Sequence, residues 1–333
     1  MDPLLLRRVS RSFSLSLSIL PRSLRSPIGL AYLIARAADT VADTRLVARD
    51  DRLARLRELQ GALSAPGGRV ALGDLARAQA SPAERELLER LPECLAWLDA
   101  LPDDDAARVR SVLATITDGQ AFDLERFPGE DAASLAALDT RDDLDRYTYL
   151  VAGCVGEFWT DMHLAHRPRL AGWDATAMRA RGVRFGKALQ MTNVLRDAPR
   201  DLLAGRCYFP ARDLAEHGLR PVDLLDPTRR RRAHPVLDAL LRVALDHYEA
   251  AWQYTLAIPL AETRMRLACT WPLLIGLGTL ERLAASPDPL DPARHAKLSR
   301  GDVRGILARS ALTVWSNRSL AGDAARLRRR IAV

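Results

Sequence analysis

Two stretches of this chain, residues 28–42 (IGLAYLIARAADTVA) and 185–195 (FGKALQMTNVL), are apolar on nearly every helical face. A helix of that kind is stable only with other helices around it, so both segments are expected at the centre of a fold. The rest of the chain agrees with a helical core. Ala/Leu/Arg-rich segments of helical periodicity recur along the 333 residues, and the alternation that marks β-strands is missing. Breaks fall at residues 64–69 (SAPGGR), 101–105 (LPDDD), 127–131 (FPGED), 203–227 and 286–292 (SPDPLDP). None has the character of a disordered linker, and no tandem repeat is visible. The pattern predicts an all-α fold of about ten or more helices, packed as a single domain over residues 1–333.

Composition narrows the partners. Lys and Arg number 49 against 42 Asp and Glu, a formal charge of +7, which suits nucleic acid, an anionic membrane surface or a polyanionic small molecule. Only Lys187 and Lys297 are lysines, so the arginine excess is general and the runs at 229–232 and 328–330 read as solvated segments. Basic residues are dispersed, aromatics make up 5%, and no nucleic-acid motif is present, so nucleic acid is not the expected partner. A basic helical protein resting on a membrane or on nucleic acid is the rival of another class. The four cysteines form no CxxC pair, which suggests neither disulfides nor zinc and fits a reducing cytosol. The Arg/Ser-rich start lacks a small-residue cleavage pattern and reads as mature protein. No stretch reaches the ~20 apolar residues that span a bilayer. The expectation is a cytoplasmic protein, at most peripheral to the membrane, with no obligate protein partner.

Each apolar segment is joined to carboxylates. Asp39 and Asp43 stand four apart in DTVAD, and Asp197 and Asp201 four apart in DAPRD. At about 3.6 residues per turn, such pairs share one helix face. Either pair alone reads as a solvated face. Two pairs set in core-like sequence need a cation, because buried like charges without one are strongly unfavourable. Mg²⁺ fits: it takes carboxylate oxygens, keeps waters and bridges to phosphate. Tyr32 and Arg36 share the face of the first pair, and Gln190 and Asn193 that of the second. Asn193 offers another oxygen, Arg36 a bidentate phosphate contact, and Arg196 and Arg206 lie close enough in sequence to meet the same anion. Pro199 predicts a kink or helix end. Gly153 and Gly156 read as positions of close helix approach. His163 and His166, in HLAH, lack the acid of HExxH and read as helix surface.

These residues resemble the squalene/phytoene synthase family over nearly the whole chain. The resemblance rests on SRSF (10–13), ARAADTVAD (35–43), YTYLVAGCVGE (147–157), QMTNVLRDAPRDLLAGRCYFP (190–210) and CTWPLLIGLGTL (269–280). It implies the class I isoprenoid synthase fold, one helical bundle around a central cavity. It also implies head-to-head joining of two prenyl diphosphates through a cyclopropyl diphosphate. By motif position, Asp39, Asp43, Asn193, Asp197 and Asp201 are implied metal ligands, and Arg11, Arg36, Arg196 and Arg206 are implied to hold diphosphates. Tyr147 matches the tyrosine that assists proton removal. Phe13 and Gln190 are implied to line the cavity, with Tyr32 on the substrate side.

Two departures stand out: Ala42 precedes Asp43 where the family commonly has a further acid, and Arg200 stands where it usually has Glu. DTVAD resembles squalene synthases, whereas GRCYFP resembles bacterial phytoene synthases. The reading favours squalene from two farnesyl diphosphates, with NADPH as reductant; phytoene or dehydrosqualene synthesis without NADPH is the alternative. No Rossmann fingerprint marks a site for NADPH.

Overall fold

Sixteen α-helices form among the described residues, which are 3–9, 13–294 and 296–331 of a computed structural model. The only β-structure there is a two-residue parallel pair, β1 (Ala136–Ala137) with β2 (Arg206–Cys207). The helical periodicity of the sequence therefore translates directly into the architecture. By packing, the chain forms two compact units, each built from two separate stretches: residues 1–125 with 157–175, and 126–156 with 176–333.

The first unit holds α1 (Pro3–Val9), α2 (Phe13–Ile19), α3 (Arg22–Asp43), α4 (Arg49–Ser64), α5 (Gly73–Arg77), α6 (Pro82–Glu89), α7 (Leu91–Asp99) and nearly all of α8 (Asp103–Arg126). Helix α3 is its centre. Leu24, Ile28, Leu30, Leu33, Ile34 and Val41 are almost fully buried, each contributing roughly 1.5–3 kcal/mol by leaving water. The end of α3 is fixed by a charge. Arg52 of α4 is 1% exposed, and its Nη1 donates to the Ala42 carbonyl at 2.8 Å. A guanidinium at a helix C-terminus satisfies a free carbonyl and complements the helix dipole, so the turn carrying Asp43 is held in place.

The second unit contains α9 (Arg141–Thr148). Its start is set by a capping box in which the Asp143 N–H donates to Thr140 Oγ1 (3.1 Å) and the Thr140 N–H donates to Asp143 Oδ2 (2.9 Å). A π-helical turn, Tyr149–Gly153, leads into α10 (Cys154–His166). π-turns are rare and concentrate at functional sites. Against this region runs α11 (Ala175–Leu203). A Cβ on Gly156 would sit 1.8 Å from the Gly182 carbonyl oxygen, and one on Gly186 would sit 2.0 Å from that of Ala152. Only glycine permits this approach, as expected for Gly156; Gly186 was not anticipated.

Pro199 does not end α11, the second of the two expected outcomes: the helix runs on to Leu203. The proline sits in the last turn, where its missing N–H removes a single bond. The end is then closed by the Ala204 N–H on the Arg200 and Asp201 carbonyls (3.1 and 3.0 Å) and by Gly205 at φ +82°. That turn delivers β2, and with it Arg206, directly after the acidic stretch.

The unit is completed by α12 (Ala211–Glu216), α13 (His234–Ala257), α14 (Thr263–Ala284), α15 (Arg300–Thr313) and α16 (Asn317–Arg328). The basic run at 229–232 is not wholly solvated as expected. Arg230 is buried, and its Nη2 meets Asp288 at 2.6 Å. A planar guanidinium can be buried when a carboxylate matches its fork. No described helix is long and apolar enough to cross a membrane.

Candidate active site

In the first unit the polar face of α3 forms as its spacing predicts. Arg36 donates from Nη1 to Asp39 and from Nη2 to Glu84 of α6. Arg36 is thus shared between two acids. Burial among the surrounding helices pushes the Asp39 carboxyl up to about 6; the neighbouring Asp43 adds to the rise, Arg36 opposes it, and Asp123 of α8 adds further negative charge. The side chain is nevertheless 43% exposed. It lies among many protein atoms with one side open, a placement that strips hydration yet admits a small ion. Tyr32 donates from its hydroxyl to the Val9 carbonyl at 3.5 Å.

In the second unit Asp197 accepts from Arg196 Nε at 2.9 Å and Nη2 at 2.5 Å. Arg200 Nη2 stands 3.8 Å from both Asp197 and Asp201. These two acids keep 22% and 19% of their side-chain surface. Asn193 Nδ2 donates to Gln190 Oε1 (3.2 Å), and Gln190 Nε2 donates to the Tyr147 hydroxyl (3.3 Å). Tyr147 is buried and stacks on Tyr208, ring centroids 4.7 Å apart. A polar relay therefore runs from α11 to the phenol beside the π-turn. Asp201 and Arg206 line one narrow crevice with Tyr208. Arg196, Asp197 and Arg200 line a separate groove of about 190 Å³, where Lys297 joins them.

The sequence places Asp39, Asp43, Tyr32 and Arg36 on one helix, and Gln190, Asn193, Asp197 and Asp201 on another, as found. It is wrong about their depth. Asp43 is exposed and the other three aspartates are only partly buried. Sequence reading missed Glu84, Asp123 and Lys297. None of the three belongs to a spaced motif, although Lys297 is one of only two lysines. Arg11 and the Phe13 side chain lie outside the described residues. His163 is fully buried, not on a helix surface: its Nδ1 pairs with the Trp159 carbonyl at 2.8 Å, and burial pushes its pKa down to about 4.

The residues fit Mg²⁺. Asp39, Asp43 and Asp123 bring negative charge together near one face of α3, and the open side of Asp39 gives an ion access. Among the described residues no three Asp, Glu, His or Cys side chains close into a ready cage. That is the Mg²⁺ habit: one or two carboxylates, with waters and phosphate completing the shell. No βαβ unit occurs among the described residues, so they supply no dinucleotide fold for NADPH.

Comparison with known proteins agrees with this geometry. Residues 6–302 match the family profile described as squalene/phytoene synthase. A squalene synthase from Yarrowia lipolytica is 24% identical over 303 residues, covering 90% of this chain and 64% of that protein. A 15-cis-phytoene synthase from Enterobacter agglomerans is 38% identical over 112 residues, 34% of this chain and 35% of that one. The chain spans less than two thirds of the length of the squalene synthases it matches. The solved complex of TcSQS with the ligand E5700 has a TM-score of 0.78 at 23% identity, covering 99% of this chain and 91% of that chain. The fold is the all-α isoprenoid synthase fold. With motifs, helical architecture and family profile in agreement along most of its length, the chain belongs to the squalene/phytoene synthase family.

Proposed function

We propose that the chain is a prenyl transferase that condenses two farnesyl diphosphates head to head to presqualene diphosphate, and reduces this to squalene with NADPH. The observation that carries the reading is Asp39, set one turn from Asp43 on a family motif, with its carboxyl raised by burial and by that neighbour. Asp39 and Asp43 on α3, and Asn193, Asp197 and Asp201 on α11, would hold Mg²⁺. When bound, the metal neutralises the diphosphate as it leaves, which favours ionisation to an allylic cation.

The chain's own residues do the rest. Arg196 and Arg206 flank the α11 acids and are suited to grip phosphate oxygens as Asp197 turns to the metal. Arg36 does the same on α3, with Arg11 as a further diphosphate contact by motif. Tyr147, held by Gln190 and Tyr208, is assigned the relay of the proton lost on cyclopropane closure, a role its family motif and these contacts support. Its oxygen accepts that proton as its own O–H passes one to a phosphate oxygen. Tyr32, Phe13 and Gln190 would lie against the hydrocarbon.

One observation favours squalene over phytoene: the first motif, DTVAD, resembles that of squalene synthases. Incubation with labelled farnesyl or geranylgeranyl diphosphate and Mg²⁺, with and without NADPH, tests the reading. Squalene formed only with NADPH is the expected result. Phytoene or dehydrosqualene formed without NADPH overturns the product while sparing the condensation. Failure to release diphosphate from either substrate overturns both.

A further inference from the structure

Six large apolar side chains are exposed among the described residues, and three of them, Leu260, Leu312 and Trp315, stand in or beside two turns of the second unit. They are 48%, 80% and 59% exposed. A buried arginine holds those two turns together at one corner. Arg266 donates from Nη1 to the Ile258 carbonyl (2.6 Å), from Nε to the Val314 carbonyl (2.8 Å) and from Nη2 to Asn317 Oδ1 (2.6 Å). Asn317 in turn donates to the Leu256 carbonyl at 3.2 Å. The turn after α13 and the turn after α15 are thereby pinned side by side. The first reads AIPLA over residues 257–261 and carries no charge.

The helices that leave these turns begin with basic residues. Arg264, in the first turn of α14, and Arg318, in the first turn of α16, are both exposed. The acids nearest in sequence offer the corner little negative charge. Glu262 is buried, and Asp323 is buried and held by Arg309 and Arg326. An exposed Trp and two exposed Leu, carried on segments that also bear Arg264 and Arg318, would be a liability in free solution. It matches an interface in which rings and alkyl groups enter the headgroup layer while guanidinium groups meet anionic lipid.

We propose that this corner docks the protein on the surface of an anionic bilayer, with Trp315 and Leu312 inserted and Arg264 and Arg318 on the lipid phosphates. The net charge of +7 favours the same partner. The docking is separate from the catalytic reading, since neither substrate nor Mg²⁺ takes part. A membrane-resting enzyme could, however, pass an oily product straight into lipid.

Co-sedimentation of the full chain with vesicles tests it. One set contains phosphatidylcholine alone and the other equal parts of phosphatidylcholine and phosphatidylglycerol, each at low and high salt. Binding to the anionic set, weakened by salt, is expected. The pair Leu312→Ala with Trp315→Ala should lower the partition coefficient roughly tenfold or more. Arg264→Gln and Arg318→Gln should each lower it about fivefold. Val222→Ala, at an exposed apolar site elsewhere in the unit, should change nothing. Unaltered melting temperatures confirm that the exposed-site variants fold. Equal binding by wild type and the Leu312/Trp315 variant overturns the proposal, as does salt-insensitive binding to neutral vesicles. So does an absence of vesicle binding with a dimer that this variant dissolves, because the corner is then a self-interface.

Discussion

The two acidic helices solve the same electrostatic problem in different ways. On α3, Asp39 faces Asp43 and feels Asp123, and its partner Arg36 is shared with Glu84. Burial first, then Asp43, pushes its carboxyl up to about 6. On α11, Asp197 is gripped by Arg196, and Arg200 lies within reach of both acids. That helix brings its own counter-charge. The contrast teaches that an identical i,i+4 spacing does not fix the state of a site; the second neighbour of each acid does. It also divides the labour. On the proposed reading the α3 acids would take a metal directly, and the α11 acids would give up an arginine to one.

The largest consequence concerns Asp39. Asp39→Asn should raise the Mg²⁺ concentration needed for half-maximal diphosphate release, and lower the maximal rate by about 10²–10³-fold. Removing free Mg²⁺ with EDTA should abolish release in the wild type. Next comes Arg196→Ala. It should raise the KM for farnesyl diphosphate by about 10–100-fold, the worth of a charge-assisted hydrogen bond. Because Asp197 is freed, Mg²⁺ dependence should not worsen. If Arg196→Ala instead mimics Asp39→Asn in its metal titration, the division of labour between the helices fails.

A smaller effect should be seen in the metal-free protein. A carboxyl raised in the fold above its ordinary value of 3.8 contributes stability while protonated, below about pH 4, and loses it as pH rises through about 6. Asp39→Asn mimics the protonated form at every pH. It should therefore raise the melting temperature at pH 7.5 by a few degrees, with the gain vanishing near pH 4. Asp197→Asn should give no such gain, because it removes a partner of Arg196. Thermal denaturation across that range decides the point. The smallest effect belongs to Arg200→Glu. Exchanging an exposed cation for an acid beside Asp197 and Asp201 should tighten apparent Mg²⁺ affinity by about two- to fivefold, read from the same titration.

Much of this was legible in the sequence because it is periodic. The apolar faces of α3 and α11 and their acid spacing repeat every three to four residues, and helical geometry alone puts them on one face. What escaped is long-range or terminal. Glu84 reaches Arg36 across 48 residues of chain, and no local pattern marks it. Asp123 acts on Asp39 from α8, a helix whose sequence shows no special face. Pro199 misled because its cost depends on how close it stands to the helix end, which Gly205 sets six residues later. The exposure of Asp43 was hidden for a similar reason. Burial of a helix terminus depends on what packs beyond it, and Arg52 covers the backbone at Ala42 while leaving the Asp43 side chain open.

The most direct trial is diphosphate release from farnesyl diphosphate, followed as a function of Mg²⁺ for the wild type, Asp39→Asn and Asp197→Asn, each checked for native melting. Strict Mg²⁺ dependence in the wild type, with a loss of at least about 100-fold in each folded variant, is the predicted result. Release that proceeds without Mg²⁺, or a folded variant that keeps the wild-type rate, would contradict a shared role for the two acidic helices.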